Sequence, residues 1–406
     1  MLNLEIPKQL KAVADAAHEI GAGMFRPISR KYDTAEHEYP RELEMLHAML
    51  SGIDDGGAAV GARELRKQAA PEAAPGGRPK VRNGRNMAAV LNIEALSWGD
   101  VGLLLTIPGH GLGNAAIAAV ATPEQKQRFG GKWAAMAITE PEAGSDSANI
   151  RATAVLDGDC WVLNGEKIFV TCGERAALIV VWATLDKALG RAAIKSFVVE
   201  RGTPGMELVG LEKKLGIRAS DTATLLFRDC RIPRSNILGS EEVKVAQGFA
   251  GVMETFDNTR PLVAAMAVGI AGAALETTQR LLAKEGIATG YVANLAHTNA
   301  LAAELHRMEA ELEAARLLTL KAAWMADNGR PNSMEASMAK AKAGRVGSQI
   351  TLRCVALCGS VGYSEEELLE KWARDAKILD IFEGTQQIQQ LIIARRLLGK
   401  TSRDLR

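Results

Sequence analysis

The residues able to do chemistry are concentrated in a few short stretches. In ILDIFEGTQQIQ, residues 378–389, one carboxylate, Glu383, follows Phe382 and precedes Gly384 and Thr385. A carboxylate in water is a weak base. Set against an aromatic at a break between helices, it gains basicity only if burial raises its pKa. On composition alone, a surface acid at a helix junction is the simpler reading. A second stretch, AMAITEPEAGSDSA, residues 135–148, reads as an apolar strand that stops at Thr139, Glu140 and Pro141 and turns through Gly144, Ser145 and Asp146. Hydroxyls and free backbone N–H groups at a strand end can bind a polar heterocycle or a phosphate. A solvent-facing turn has the same composition, and physics alone favours it. GHGLGNA, residues 109–115, imitates a dinucleotide fingerprint, but Asn114 stands where the third glycine belongs and no acidic residue ending a second strand follows. It reads as a helix break. Cys354 and Cys358 are one helical turn apart, but no His or further Cys nearby completes a zinc set, so no metal site is expected.

These stretches need elements to hold them. The chain has 406 residues, 47% hydrophobic and 24% charged, which suits a soluble protein of about two to three domains. A net charge of +1 gives no electrostatic case for nucleic acid or a membrane surface. MLNLEIPKQL lacks the features of a signal or transit peptide, and five scattered cysteines suggest a reducing compartment, so a cytoplasmic location is expected. The apolar run 262–275 is too short to span a bilayer and reads as a buried bundle helix.

Three regions follow one another. Residues 1–132 carry helical spacing in LKAVADAAHEIGAGMF and PRELEMLHAML, interrupted at 51–84 by a Gly-, Ala- and Pro-rich flexible insertion. Residues 133–245 alternate apolar and polar, with Asp157-Gly158 and Asn164-Gly165 as hairpin signals, and predict an antiparallel sheet or small barrel. Residues 246–406 predict a helical bundle. Pro261 should open its first helix and a second should run over 294–327. Asn332 with Glu335 should cap a third in a capping box, and Ser364 with Glu367 a short fourth.

AITEPEAGSDSA resembles the first signature of the acyl-CoA dehydrogenase family, and RDAKILDIFEGTQQIQ resembles its carboxy-terminal one. KLGIRASDTATLLFRDCRIP and FDNTRPLVAA are similar to two further blocks, in the right order. The resemblance covers residues 88–400. It implies a mainly α fold with a central β-domain: an amino-terminal helical domain, a middle antiparallel β-barrel or sheet domain, and a carboxy-terminal four-helix bundle. It also implies FAD as cofactor, an acyl-CoA substrate and an electron-transferring flavoprotein as acceptor.

By that resemblance Met136, Ile138, Thr139 and Ser145 would line the flavin, with Thr139 at its pyrimidine end and Ser145 on the pyrophosphate or the substrate's pantetheine arm. In KIFVT, Phe169 stands where many members have tryptophan, Val170 follows, and Thr171 would bond near flavin N5. Asp257, Asn258, Thr259 and Arg260 match the segment that meets the acyl-CoA. Thr385 and Gln387 match residues that hold the adenosine half of FAD. Glu383 matches the catalytic base, with Gly384 permitting close approach of the thioester. The Glu383 N–H and a ribityl hydroxyl would hold the thioester carbonyl, an oxyanion-type effect of about 3–4 kcal/mol per donor. Some branches carry the base near Arg260, where this chain has Thr259.

The chain departs from the pattern twice. KEGIATGYVANLAH, residues 284–297, replaces an Arg-x-x-Phe-Gly run, and Ala356 replaces a glutamine. In homotetrameric relatives both elements reach a neighbour's FAD, and a lost guanidinium forfeits charge-assisted bonds of about 1.5–3 kcal/mol each. Either a homo-oligomer or a hetero-oligomer with a related subunit is implied, the latter with one FAD per heterodimer. An acyl-CoA oxidase and a non-catalytic or half-site subunit are the competing readings.

Overall fold

The computed structural model describes residues 6–44, 83–109, 111–243, 250–292, 297–401 and 404, with the backbone alone for 250–258. The insertion expected over 51–84 lies outside the described residues except for Asn83 and Gly84, and the helix expected from Pro40 is described only to Glu44. The first helical pattern forms α1 (Lys8–Ile20) and continues through a π-helical turn at Gly21–Phe25 into α2 (Arg26–Thr34). The turn sets Gly21 against α3 (Arg85–Gly99), where a Cβ on Gly99 would stand 2.6 Å from the Gly21 Cα. After α4 (Val101–Leu104) come α5 (Leu112–Val120) and α6 (Pro123–Phe129). The glycines of GHGLGNA serve packing. A Cβ on Gly113 would meet the Ala135 carbonyl at 2.4 Å, and the Asn114 side chain accepts from the Ala134 N–H at 2.9 Å. The break in GHGLGNA is thus the seat of α5 on the first strand.

The middle region is a seven-stranded sheet: β1 (Ala134–Ala137), β2 (Thr153–Asp157), β3 (Cys160–Thr171), β4 (Leu178–Thr184), β5 (Ile194–Glu200), β6 (Met206–Leu211) and β7 (Thr222–Pro233). The order is β1-β4-β2-β3-β7-β6, with β5 also on β4. Most pairs are antiparallel, while β1 runs parallel to β4. Asp157-Gly158 makes the expected hairpin, with Gly158 at φ 59°. Asn164-Gly165 does not turn the chain. It lies inside β3 at a register shift, where the Asn164 side chain accepts from the Asp229 N–H at 2.8 Å and a Cβ on Gly165 would press on Ala152 at 2.6 Å. The dipeptide makes a bulge because β7 lies across it.

The bundle consists of α7 (Ala250–Lys284), α8 (Ala300–Asp327), α9 (Ser333–Leu357) and α12 (Gln386–Leu398), with the short α10 (Gly359–Tyr363) and α11 (Leu369–Ala376) between the last two. Pro261 does not open α7 but sits inside it. The missing N–H costs about 3 kcal/mol, which the apolar burial of this helix outweighs. α8 starts at Ala300, later than expected, where Asn299 caps the Ala302 N–H. The capping box at Asn332 does not form: its amide donates to the Ala322 carbonyl and Glu335 pairs with Lys321 at 3.6 Å. Nor do Ser364 and Glu367 cap a helix. Ser364 donates to Val361, Glu367 accepts from Arg280, and the helix begins at Leu369. Within α7 the stretch Thr259–Lys284 is long and apolar enough to cross a membrane, more than the 262–275 run suggested, and 83% of its most apolar window is buried within the fold.

A buried ionic cluster joins the regions. Lys371 donates to Asp100 and Asp375, both at 2.6 Å, and Asp375 accepts from the Ile217 N–H at 2.5 Å. Arg374 pairs with Asp33 at 2.6 Å and donates to the Leu215 carbonyl at 2.9 Å. Burial works against the Lys371 charge, but the two carboxylates outweigh it and raise its pKa. Helices α2 and α11 and the loop before β7 are thereby fastened at one point.

Candidate active site

The chain reverses between α11 and α12 through two left-handed residues, Glu383 at φ 53° and Gly384 at φ 95°. Glycine is at ease there. A glutamate is not, and such a conformation costs about 1–3 kcal/mol unless its surroundings hold it. Three groups do. The Lys340 ammonium, from α9, donates to the Gly384 carbonyl at 2.7 Å. The fully buried Gln389 amide donates to the Glu383 and Gly384 carbonyls, both at 3.0 Å. Thr385 caps α12 by accepting from the Ile388 N–H. The backbone N–H of Glu383 donates to no acceptor among the described residues.

The half-buried Glu383 carboxylate accepts from the Thr259 hydroxyl at 2.5 Å. Thr259 and Arg260 are both buried on α7. Burial pushes the Glu383 carboxyl above the ordinary carboxylate range, while the Thr259 bond and the charges of Arg260 and Lys340 pull it down. Burial likewise lowers Lys340, to about 8, against the pull of Asp380 and Glu383.

A second group forms on the sheet. Glu140, buried at the end of β1, accepts from the Arg151 and Ala152 N–H groups and from the Lys167 ammonium at 2.7 Å. Lys167, fully buried, also donates to the Ile138 carbonyl at 3.1 Å, and burial lowers it to about 8. The Ile168 N–H donates to the Thr139 carbonyl at 2.9 Å. These bonds clamp residues 138–140 to β3. There the register slips between Lys167 and Val170, and Phe169, at φ 56°, is turned out to 58% exposure. Bulges of this kind re-aim a side chain.

Two groups of sequence-predicted residues are thus assembled. Met136, Thr139 and Thr171 are half-buried, Phe169 faces outward and Ser145 is exposed on its turn. Ile138 and Val170 turn their side chains into the core, and their carbonyls are taken by the Lys167 ammonium and the Gly173 N–H. Thr259, Arg260, Glu383 and Gly384 meet at the bundle, Thr385 caps the next helix and Gln387 is exposed on its first turn. Asp257 and Asn258 lie in α7, and their side chains fall outside the described portion. Sequence reasoning missed Lys340, Gln389 and the Glu140–Lys167 pair. Lys340 carried a signal: it is the one cation in a helical stripe of small residues, Ala336, Ala339, Ala343, Gly344 and Gly347. A cavity of about 230 Å³ between α8 and α9, lined in part by Met308, Val346, Glu304 and Arg353, includes none of the predicted site residues.

Family models of the acyl-CoA dehydrogenase middle domain and C-terminal domain match residues 135–230 and 246–398. The mitochondrial short-chain specific acyl-CoA dehydrogenase of Bos taurus is 38% identical over 320 residues, 77% of this chain and 76% of its own length. The butyryl-CoA dehydrogenase structure from Megasphaera elsdenii superposes with a TM-score of 0.82 at 30% identity, covering 98% of this chain and all of that one. A chain solved in work on the electron transferring flavoprotein of Acidaminococcus fermentans gives the same TM-score at 32% identity, with 98% of this chain and 100% of that one covered. With two family models covering most of its length and a curated relative at this identity, the chain belongs to the acyl-CoA dehydrogenase family.

Proposed function

We propose that this protein oxidises a short-chain acyl-CoA thioester to the trans-2-enoyl-CoA, with Glu383 removing the α-proton. The observation that carries the reading is the Glu383 carboxyl itself: raised in pKa by burial, bonded to Thr259, and held in a left-handed turn whose own N–H has no acceptor among the described residues. A thioester α-proton is weakly acidic, and a carboxylate of raised pKa is a better base for it. The free N–H suits the thioester carbonyl, whose oxygen gains charge as the proton leaves. The names of the bovine and Megasphaera relatives support a short acyl chain, and butyryl-CoA is the first probe.

FAD, when bound, would supply the acceptor for the β-hydride. The residues present fit it. Thr139, just past β1 and bonded through its carbonyl to the Ile168 N–H, and Thr171, at the end of β3, offer hydroxyls, and the register shift in β3 turns the Phe169 ring outward. That pairing of polar edge and apolar face matches a flat heterocycle with a polar rim. Ser145, Thr385 and Gln387 would serve the phosphates and the adenosine half. The Acidaminococcus neighbour supports an electron-transferring flavoprotein as the acceptor that reoxidises the enzyme.

Anaerobic addition of butyryl-CoA to the FAD-loaded protein is expected to bleach the visible flavin band. Glu383→Gln should keep the flavin and slow bleaching by about 10²–10⁴-fold, the usual worth of a general base. Unchanged bleaching in that variant would sink the assignment.

A half-site subunit of a hetero-oligomer is a second reading, favoured by one observation. The segment that replaces the family's Arg-x-x-Phe-Gly run is tied back onto its own bundle: Tyr291 stacks on His306 and donates to Glu309, and Asn299 donates to the Ala288 carbonyl. Ala356 is exposed on the last turn of α9. This reading expects well under one FAD per chain in protein purified alone. Full occupancy in a homo-oligomer rules it out.

A further inference from the structure

The Lys340 ammonium is 1% exposed, and its bond to the Gly384 carbonyl ends at the turn that carries Glu383. Its helix is built to bring it there. A Cβ on Gly344, one turn further along α9, would stand 2.7 Å from the Leu379 carbonyl, so α9 passes close under the segment leading to the turn. A neutral side chain would fill the same space without the desolvation cost of a buried cation. The groups facing Lys340 are the Asp380 and Glu383 carboxyls from that segment and turn and the Arg260 guanidinium from α7. The carboxyl of Glu383 in turn faces Thr259, Arg260 and Lys340.

We propose that Lys340 is a positioning residue for proton abstraction: it fixes the left-handed turn through the Gly384 carbonyl and supplies a cation that keeps the Glu383 carboxyl ionised and aimed. The proposal rests on Glu383 being the base. Lys340 acts through the turn and through charge. Removing it leaves Gln389 as the remaining side-chain donor among the described residues to the turn's two carbonyls. It also removes one of the two cations that oppose burial at Glu383.

The test compares FAD-loaded wild type, Lys340→Met, Lys340→Gln, Lys340→Arg and Glu383→Gln. Bound flavin, melting temperature, and kcat and KM for butyryl-CoA with an artificial one-electron oxidant are measured across pH. Lys340→Met is expected to keep its flavin and its KM within about threefold while kcat falls by about 10²-fold, the scale of a misplaced reacting group. The acid limb of kcat, which reports the base in the bound complex, should move to higher pH in Lys340→Met and Lys340→Gln. Lys340→Arg should return both kcat and the limb toward wild type. If Lys340→Met does not fold, the Gln and Arg variants carry the same comparison. An unmoved limb with wild-type kcat in the neutral variants, beside an inactive Glu383→Gln, overturns the role of Lys340 and leaves the base in place. An active Glu383→Gln overturns the base itself.

Discussion

Thr259, which by resemblance matches the position where some family branches carry a base, donates here to Glu383, the carboxylate proposed for that role. Its hydroxyl stabilises the ionised carboxylate, so it works against burial in setting the Glu383 pKa. Thr259→Val keeps the shape and removes the donor. The acid limb of kcat is then expected at higher pH, with kcat below the limb lowered about tenfold, since a bond to a charged group is worth about 1.5–3 kcal/mol. A pH–rate profile checks this. The same carboxyl bears on stability. Its folded pKa lies above the unfolded one, so the stabilisation it brings is full below the ordinary carboxylate range and is lost as pH rises through the raised value. Glu383→Gln should therefore melt no lower than wild type at neutral pH, and any advantage should vanish in acid. The identity of this residue was legible from its motif. Its left-handed backbone and its three restraining bonds were not, because they come from α9 and α12, contributed by residues before and after it.

At the scale of elements, the β1–β3 clamp holds the residues proposed to meet the flavin. Glu140 gathers two N–H groups and the Lys167 ammonium at the point where β1 ends. Glu140→Ala leaves a buried lysine uncompensated, which costs about 3–5 kcal/mol. It also frees the strand end that carries Thr139. Urea unfolding should show that loss, and equilibrium dialysis should show weakened FAD retention. Local signals served well where a local turn settles the matter, as at Asp157-Gly158. They failed at Asn164-Gly165 and Asn332, where a partner from another element took the side chain, and at Ser364, whose hydroxyl turns back to the Val361 carbonyl of the helix it ends. Pro261 misled for the same reason: tertiary burial carried the helix through it.

For the whole molecule, the order of helices, sheet and bundle followed from composition and period alone, and the resemblance gave it a name. The fastening between these parts was invisible, because Lys371, Asp100 and Asp375 read singly as ordinary surface charges. Buried together, they bind regions that are distant in sequence. Lys371→Met leaves two carboxylates buried without their cation, at a cost of about 3–5 kcal/mol. The loss should shrink in acid as Asp375, already shifted upward by burial, takes a proton. Denaturation curves at two pH values check both parts. The same cluster sets a schedule for synthesis. Asp33 pairs with Arg374, 341 residues later, so at a ribosomal rate of about 5–20 residues per second the amino-terminal helices wait roughly 20–70 s for their partner. Thr139 and Thr171 emerge long before Glu383. A nascent chain therefore has the sheet residues proposed to receive a flavin well before it has the carboxylate proposed as base, and the two halves of the candidate site meet only once residue 383 has been made.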